Sequence, residues 1–349
     1  MNAPRLRTRK LDVKNGRVDL SHGSGGRAMA QLIGDIFREA FDNDLLAQGN
    51  DQAQFDMPAG RLAMTTDGYV VSPLFFPGGD IGSLSIHGTI NDLAMAGARP
   101  LHLSASFILE EGFPLADLQR IADSMGAAAR AAGVKIVTGD TKVVERGKAD
   151  GVFISTAGIG IVPEGLNLSG DNARPGDAIL VSGSIGDHGV AIMSSRENLQ
   201  FETEIRSDSA ALDGLVGNMV AACGDSLRLM RDPTRGGLAA TLNEIAHQSG
   251  VGIRIEEDAL PIRKEVAAAC ELLGLDPLYV ANEGKLVAFV AAEAAEKLLS
   301  VMRAHELGRD AAIIGHVVKD EHHFVQMATS FGGDRIVDWL SGEQLPRIC

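Results

Sequence analysis

Strand-like and helix-like segments alternate along this chain, and the alternation breaks clearly once. Residues 163–176 read PEGLNLSGDNARPG, with two prolines, three glycines and little hydrophobic periodicity. A run of that kind ends one folding unit rather than continuing it, because proline withholds a backbone donor and glycine adds chain entropy. Each side of the break is long enough to bury a core of its own. The expected organisation is a basic N-terminal tail over 1–20, one domain over 21–165, a second over 175–329, and a C-terminal tail over 330–349.

Hydrophobic periodicity places the elements. Helical spacing covers 28–41, 81–96 and 115–132 in the first domain, with strands at 62–66, 101–110, 134–138 and 152–162. In the second domain, strands are expected at 178–182, 252–256, 286–291, 312–317 and 324–328. Helices are expected near 188 and over 208–222, 237–249, 262–273 and 294–304. This mixed order argues for α+β or α/β layers.

Composition excludes several classes of function. Apolar residues make up 45% and charged residues 22% of the 349, so the chain is globular rather than disordered or fibrous. A net charge of −14 disfavours broad binding to nucleic-acid or membrane phosphates. The single basic run, Arg5 to Lys10, reads as a solvated tail. No stretch reaches the ~18 apolar residues of a membrane span, and no signal-peptide core opens the sequence. Three scattered cysteines, Cys223, Cys270 and Cys349, suit neither a disulfide framework nor a zinc site, so a reducing, cytoplasmic location is expected.

Acids recur where strands or glycine turns end: Asp51 in a polar loop, Asp67 after Thr65-Thr66, Asn91-Asp92 in the helix after Gly88-Thr89, and Asp140 after Thr138-Gly139. Hard carboxylate oxygens at such junctions suit Mg²⁺, which a nucleotide triphosphate would need in so acidic a protein. Each acid alone could equally be a helix cap or turn residue. Gly23-Ser24-Gly25-Gly26 leads into a helix and could cradle a phosphate or act as a hinge; it is not a Walker A loop. Lys142 could contact phosphate or lie on the surface. Glu283, before the strand from Leu286, could be a general base or a turn acid paired with Lys285. Cys223 and Cys270 sit in apolar helical runs and read as inert core thiols. Cys349 ends a stretch that no packing pattern fixes. Nineteen extended residues after Ser330 would span roughly 60 Å at ~3.3 Å each, enough to bring the thiol to a site on either domain.

The blocks Thr65-Thr66-Asp67, Phe75-Phe76-Pro77-Gly78-Gly79-Asp80-Ile81-Gly82, Asn91-Asp92-Leu93-Ala94-Met95 and Thr138-Gly139-Asp140-Thr141-Lys142-Val143-Val144 resemble the HypE family, the carbamoyl dehydratases of [NiFe]-hydrogenase maturation. Asp232-Pro233-Thr234-Arg235-Gly236-Gly237 and the closing Pro346-Arg347-Ile348-Cys349 resemble it too, and the resemblance covers residues 18–349. It implies two α+β domains of the PurM-like ATP-binding fold and a homodimer whose N-terminal sheets form a shared barrel. It further implies ATP contacts at Gly23, Ser24, Gly25, Gly26, Asp67, Asn91, Asp92, Asp140 and Thr141. Mg²⁺ would be held by Asp51, Asp67, Asp92, Asp140 and Asp232.

The implied reaction begins when a carbamoyltransferase, HypF, loads carbamoyl onto Cys349. ATP phosphorylates the amide oxygen, a base removes the N–H proton, and phosphate leaves a thiocyanate on sulfur. The cyano group then passes to iron on a HypC–HypD complex. Lys142 would stabilise the developing oxyanion and Glu283 would take the proton. Two rival expectations remain open: another PurM-like enzyme that phosphorylates an amide or selenide, or a nucleotide-binding thiol carrier without dehydratase activity.

Overall fold

The structure, a computed structural model, describes residues 10–50, 52–197, 204–340 and 347–349. Asp51, the start of the basic run and residues 341–346 lie outside these. In chain order the N-terminal half comprises α1 (Gly26–Leu32), α2 (Arg38–Phe41), β1 (Arg61–Tyr69), the short pair β2 (Phe75–Phe76) and β3 (Gly79–Asp80), α3 (Ile81–Met95), β4 (Arg99–Glu110), α4 (Leu115–Ala131), β5 (Lys135–Val144) and β6 (Val152–Val162). One π-helical turn at Ile33–Phe37 joins α1 to α2.

The sheet runs β1-β6-β4-β5, with only β4 and β5 parallel. Alternate residues of β6, from Val152 through Ile154, Thr156, Gly158 and Gly160 to Val162, are buried, as a sheet with one covered face requires. Helices α3 and α4 cover that face. Asp80 caps α3 through a box with Ser83, whose N–H lies 3.0 Å from the carboxylate, a contribution of about 1 kcal/mol. Helix α3 is buried on nearly all sides because the sheet lies on one flank and the second half of the chain on the other.

The second half comprises β7 (Ala178–Val181), α5 (Asp187–Arg196), α6 (Asp213–Cys223), β8 (Leu227–Arg231), α7 (Gly237–Ser249), β9 (Gly252–Glu256), α8 (Lys264–Leu273), β10 (Val287–Val290), α9 (Ala295–Arg303), β11 (Ala312–Val318), β12 (Val325–Thr329) and β13 (Gly333–Ile336). Its sheet has the order β13-β12-β9-β11-β7-β10-β8 and is antiparallel except for β12 beside β9. Leu238 and Leu242 of α7 pack on one face, while Leu215 and Met219 of α6 and Leu298 and Met302 of α9 pack on the other. With both faces covered, all four residues of β7 and of β10 are buried.

Four local expectations need correction. Strand β5 does not stop at Thr138 but continues to Val144, because β4 pairs with it through Glu110↔Val144. The helix expected from 208 starts at Asp213, since Ser207 and Asp208 bond other segments: the Ser207 N–H donates to Pro77 O (2.8 Å) and Asp208 pairs with Lys285 (3.2 Å). Residues 11–19 are docked rather than tail-like, with Val18 buried and its N–H donating to Phe113 O. The segment after Ser330 begins as β13, the sheet's edge, and the buried Val337 donates to Val325 O. Strand β8 was not expected at all; its Leu-Arg-Leu-Met-Arg pattern is too short to stand out between two helices.

Candidate active site

A cavity of about 540 Å³ opens where β1, α3, the turn after β8 and the loop before β10 meet, a size suited to a small-molecule ligand. Its acids are Asp67, Asp92, Asp232 and Glu283; Arg231 and Arg235 are its only cations among the lining residues, and Cys349 closes one side.

Strand alternation builds the first part. Thr65, Asp67 and Tyr69 share the helix-covered face of β1. Thr65 Oγ1 donates to Asp92 Oδ2 at 2.6 Å, and the Tyr69 hydroxyl donates to Asp67 Oδ2 at 3.0 Å. Burial and then the nearby Asp67 carboxylate raise the Asp92 pKa. Asp232, one residue beyond β8, is pushed up to about 7 by burial and then by Asp92.

The loop carrying Glu283 is held on every side. The Glu283 N–H donates to Asp208 Oδ1 (3.1 Å), and Asn91 Nδ2 donates to Glu283 O (3.1 Å). The neighbouring Asn282 accepts from the Gly186 N–H (2.8 Å) and donates to Pro233 O (2.9 Å). Gly284 lies so close to the chain at Asp208 that a Cβ would fall 1.8 Å from its carbonyl oxygen, so no other residue fits there. Glu283 itself is 3% exposed, and its Oε1 has no hydrogen-bond partner among the described residues. Burial, followed by the charges of Asp232, Asp208 and Asp67, holds its pKa well above the usual carboxylate range.

Cys349 reaches this cavity alongside the segment that follows β1. Its carbonyl accepts from the Val70 N–H (3.1 Å), and that of Arg347 accepts from the Ser72 N–H (3.2 Å). The thiol lines the same cavity wall as Glu283 and Arg235. Burial and then the Glu283 charge raise its pKa far beyond that of a free thiol, while Arg235 acts in the opposite direction. In this position the sulfur is a protonated thiol facing a carboxyl group.

Of the expected site residues, Asp67, Asp92, Asp232, Glu283 and Cys349 therefore converge. Asp140 and Lys142 do not. They sit on β5, three strands from β1, or about 14 Å at ~4.8 Å per strand. The pairing Gly68↔Ser155, Ser106↔Ser155 and Ser106↔Asp140 puts the Asp140 side chain on the uncovered face, opposite that of Asp67. There Asp140 and Lys142 form an exposed ion pair (3.1 Å), and Thr141 is buried beneath them.

Gly23, Ser24, Gly25 and Gly26 lie beside β5 as well, for Gly23 is packed so close to Val143 that a Cβ would meet its backbone nitrogen at 2.6 Å. Asn91, expected to touch nucleotide, is 1% exposed and ties α3 to the Glu283 loop: besides Glu283 O it donates to Ala210 O (3.0 Å) and accepts from the Leu212 N–H (2.8 Å). It positions the site instead of lining it. Asp51 lies outside the described residues. Sequence reasoning missed Tyr69, Asp208 and Arg235; Arg235 carried a signal, since it stands inside the Asp232–Gly237 motif.

The arrangement makes a pH-dependent prediction. Because Asp232 titrates near 7 in the folded protein and near 3.8 when unfolded, the folded state is penalised as pH rises through that interval. Asp232→Asn removes the penalty and should stabilise the protein by about 4 kcal/mol well above pH 7, with the gain vanishing below pH 4. Urea unfolding at pH 4 and pH 8 measures it; equal gains at both would refute the coupling.

The two halves match the AIR synthase related protein domains, the N-terminal domain at residues 49–162 and the C-terminal domain at 174–328. With the cleft between them, they define a two-domain protein of the PurM-like fold. The chain is 74% identical over 341 residues to a carbamoyl dehydratase HypE of Rhizobium leguminosarum bv. viciae, covering 98% of this chain and 97% of the relative. A crystal structure of the hydrogenase maturation protein HypE in complex with ATP superposes with a TM-score of 0.91 at 53% identity, over 95% of this chain and 99% of that one. HypE in a HypE–HypF complex superposes at 0.78 with 52% identity, over 88% and 99%. The chain belongs to the HypE family of carbamoyl dehydratases.

Proposed function

We propose that this protein uses ATP to dehydrate a carbamoyl group carried on the Cys349 sulfur, supplying cyanide ligands for hydrogenase iron. The observation that carries the reading is the docking of that thiol against Glu283 in a cavity shared with Asp67, Asp92 and Asp232. A free thiol attacks as thiolate, and burial here keeps it protonated. Loading by a HypF-type carbamoyltransferase thus belongs to an undocked tail, and dehydration to the docked one. Delivery to a HypC–HypD complex again calls for the tail outside.

In the docked state the γ-phosphoryl of ATP passes to the carbamoyl oxygen as one N–H proton is released, giving an imino-phosphate and ADP. Glu283 takes the remaining N–H proton as the C–O bond breaks, and phosphate departs from S–C≡N. Arg235, beside the sulfur, is placed to offset negative charge on the transferring phosphoryl. Among the described residues no three His, Cys, Asp or Glu side chains form a ready-made metal site. The hard oxygens of Asp67, Asp92 and Asp232, two of them crowded enough to resist ionising, still fit Mg²⁺ once nucleotide phosphates complete the shell. Mg²⁺ there would offset phosphate charge.

Asp140, Thr141, Lys142 and the Gly23–Gly26 segment enter the proposal only through a homodimer. The uncovered sheet face supports one: Leu62, Met64 and Ile108 are 54%, 70% and 41% exposed there, and no helix among the described residues covers them. A second copy on that face would bring its own β5 residues toward this cavity. Three free cysteines accord with the cytoplasm, and no helix among the described residues is long and apolar enough to cross a membrane.

The test is direct. With HypF, carbamoyl phosphate and ATP, the C-terminal peptide should first gain a carbamoyl group and then lose the mass of one water, only when ATP is hydrolysable. A carbamoyl adduct that persists with ATP would identify a carrier instead.

A further inference from the structure

One histidine outside the reaction scheme faces the tail. His188 lies in the first turn of α5 and has no exposed surface. Its Nε2 is 2.9 Å from Ile348 O and its Nδ1 2.8 Å from Ser207 Oγ. A carbonyl oxygen can only accept, so Nε2 carries the proton and Nδ1 accepts from the Ser207 hydroxyl. The ring stands edge-on to Phe76 (5.7 Å, 88°), and the Ser207 N–H donates to Pro77 O, so the imidazole is fixed from both halves of the chain. Two turns further along α5, Arg196 donates to Arg347 O (2.9 Å) and to Ser72 O (2.8 Å).

Apart from an ion pair of the exposed Arg347 side chain with Asp150, the polar contacts that hold the tail go to its backbone: the carbonyls of Arg347 and Ile348 and the main-chain oxygen of Cys349. Only the Ile348 side chain is buried, at 4% exposure. A clasp of this kind follows the path of the chain and is indifferent to what the sulfur carries. The Ile348 carbonyl belongs to the peptide plane that joins Cys349. Its orientation fixes the Cys349 N–Cα bond, and the Val70 N–H bound to the Cys349 main-chain oxygen restrains rotation about it, so the two together set the direction in which the side chain leaves the backbone.

We infer that His188 is a positioning residue: by holding the Ile348 carbonyl it keeps the tail in the cavity and aims the Cys349 sulfur at Glu283. The inference deepens the dehydratase reading and rests on it for its catalytic consequence, but the clasp can be read without catalysis. The probe is iodoacetamide, applied to unloaded, nucleotide-free protein, with alkylation of Cys349 followed by mass in the C-terminal peptide released by a Glu-specific protease. His188→Leu should raise the Cys349 alkylation rate at least 10-fold. His188→Gln, whose amide nitrogen restores a donor near the Nε2 position, should stay within about 3-fold of the parent.

In single-turnover dehydration of loaded protein at saturating ATP, the Leu variant should slow at least 10-fold while its KM for ATP and its loading by HypF are unchanged; Gln should recover most of the rate. Parental protection and turnover in His188→Leu would overturn the inference, and so would a Gln variant as impaired as Leu, because space-filling rather than donation would then be at work. Should His188→Leu fail to fold, Ser207→Ala carries the test, with alkylation about 3-fold faster expected and no change counting against the clasp. If the Leu variant exposes the thiol but the parent protein never dehydrates its cargo, the clasp stands and the dehydratase reading fails.

Discussion

A protein lengthened by four residues beyond Cys349 is expected to fold and bind ATP normally yet to dehydrate its cargo at least 100-fold more slowly. The reason is spatial. The thiol is half-buried in a cavity of about 540 Å³ that must also take phosphates, and the backbone around it is fixed by Val70, Ser72, His188 and Arg196. Added residues must either enter that cavity or draw the tail out of its register. A displacement of about 1 Å between reacting groups is enough to cost on the order of 100-fold in rate. The tail gives the N-terminal core one buried side chain, Ile348, among several dozen, so thermal unfolding should shift little. Single-turnover mass analysis of the loaded peptide, beside a melting curve and ATP titration, makes the measurement. Parental dehydration by the lengthened protein would refute the docking of the cargo in this cavity.

Replacing Glu283 with Gln should lower the dehydration rate by about 10²–10⁴-fold, the usual range for losing a general base, while leaving carbamoyl loading intact. The pH dependence supplies the sharper test. A base acts when deprotonated, and burial with three neighbouring carboxylates lifts the Glu283 pKa well above 4.5. The parent's rate should thus fall as pH is lowered through that raised pKa, and Glu283→Gln should lack this limb. Stability moves the other way. A carboxyl whose folded pKa is raised contributes stability that is present below the unfolded value and lost as pH rises through the folded one. Gln, neutral throughout, avoids that loss, so the variant should be more stable than the parent at neutral and alkaline pH. An inactive but destabilised Glu283→Gln would point to a structural role for the carboxylate; a fully active one would place the base elsewhere.

Both predictions turn on side chains whose types were conspicuous in the sequence but whose company was not. Asp67 was legible because β1 alternates and the acid falls at its end. Glu283 was legible only as an acid before a strand. Its burial against Asp208, and the unpartnered Oε1, come from a loop pinned by Asn91 and Asn282, residues more than 180 positions apart in one case. Asn91 stands out in the sequence as a candidate nucleotide contact, but its amide, in a helix buried on both flanks, bonds the backbone of the neighbouring domain. Asp140 and Lys142 were read as neighbours of Asp67 because all three end strand-like segments. The register shows why they are not: an odd step across the pleat exchanges faces, and β5 is the far edge of the sheet.

His188 shows the same limit from the other side. Nothing about a single histidine after a glycine turn distinguishes a tail clasp from a core residue. Its partner is a backbone carbonyl 160 residues away, and backbone groups carry no signature in the sequence. Arg196 is equally silent, since the acceptors through which it joins Ser72 to the tail are main-chain oxygens.

The amino-acid order by itself determined most of the strand and helix segments, the break in their alternation at 163–176, the acids offered for a nucleotide and the one thiol outside an apolar run. These follow from local rules of periodicity, turn chemistry and side-chain type, which act over a few residues. Only the tertiary structure decided which acids share a cavity, which face of the sheet each one takes and where Cys349 rests. Those outcomes depend on strand register and on contacts between distant segments, and the free energy of burying charge there exists only once both halves have closed around the site.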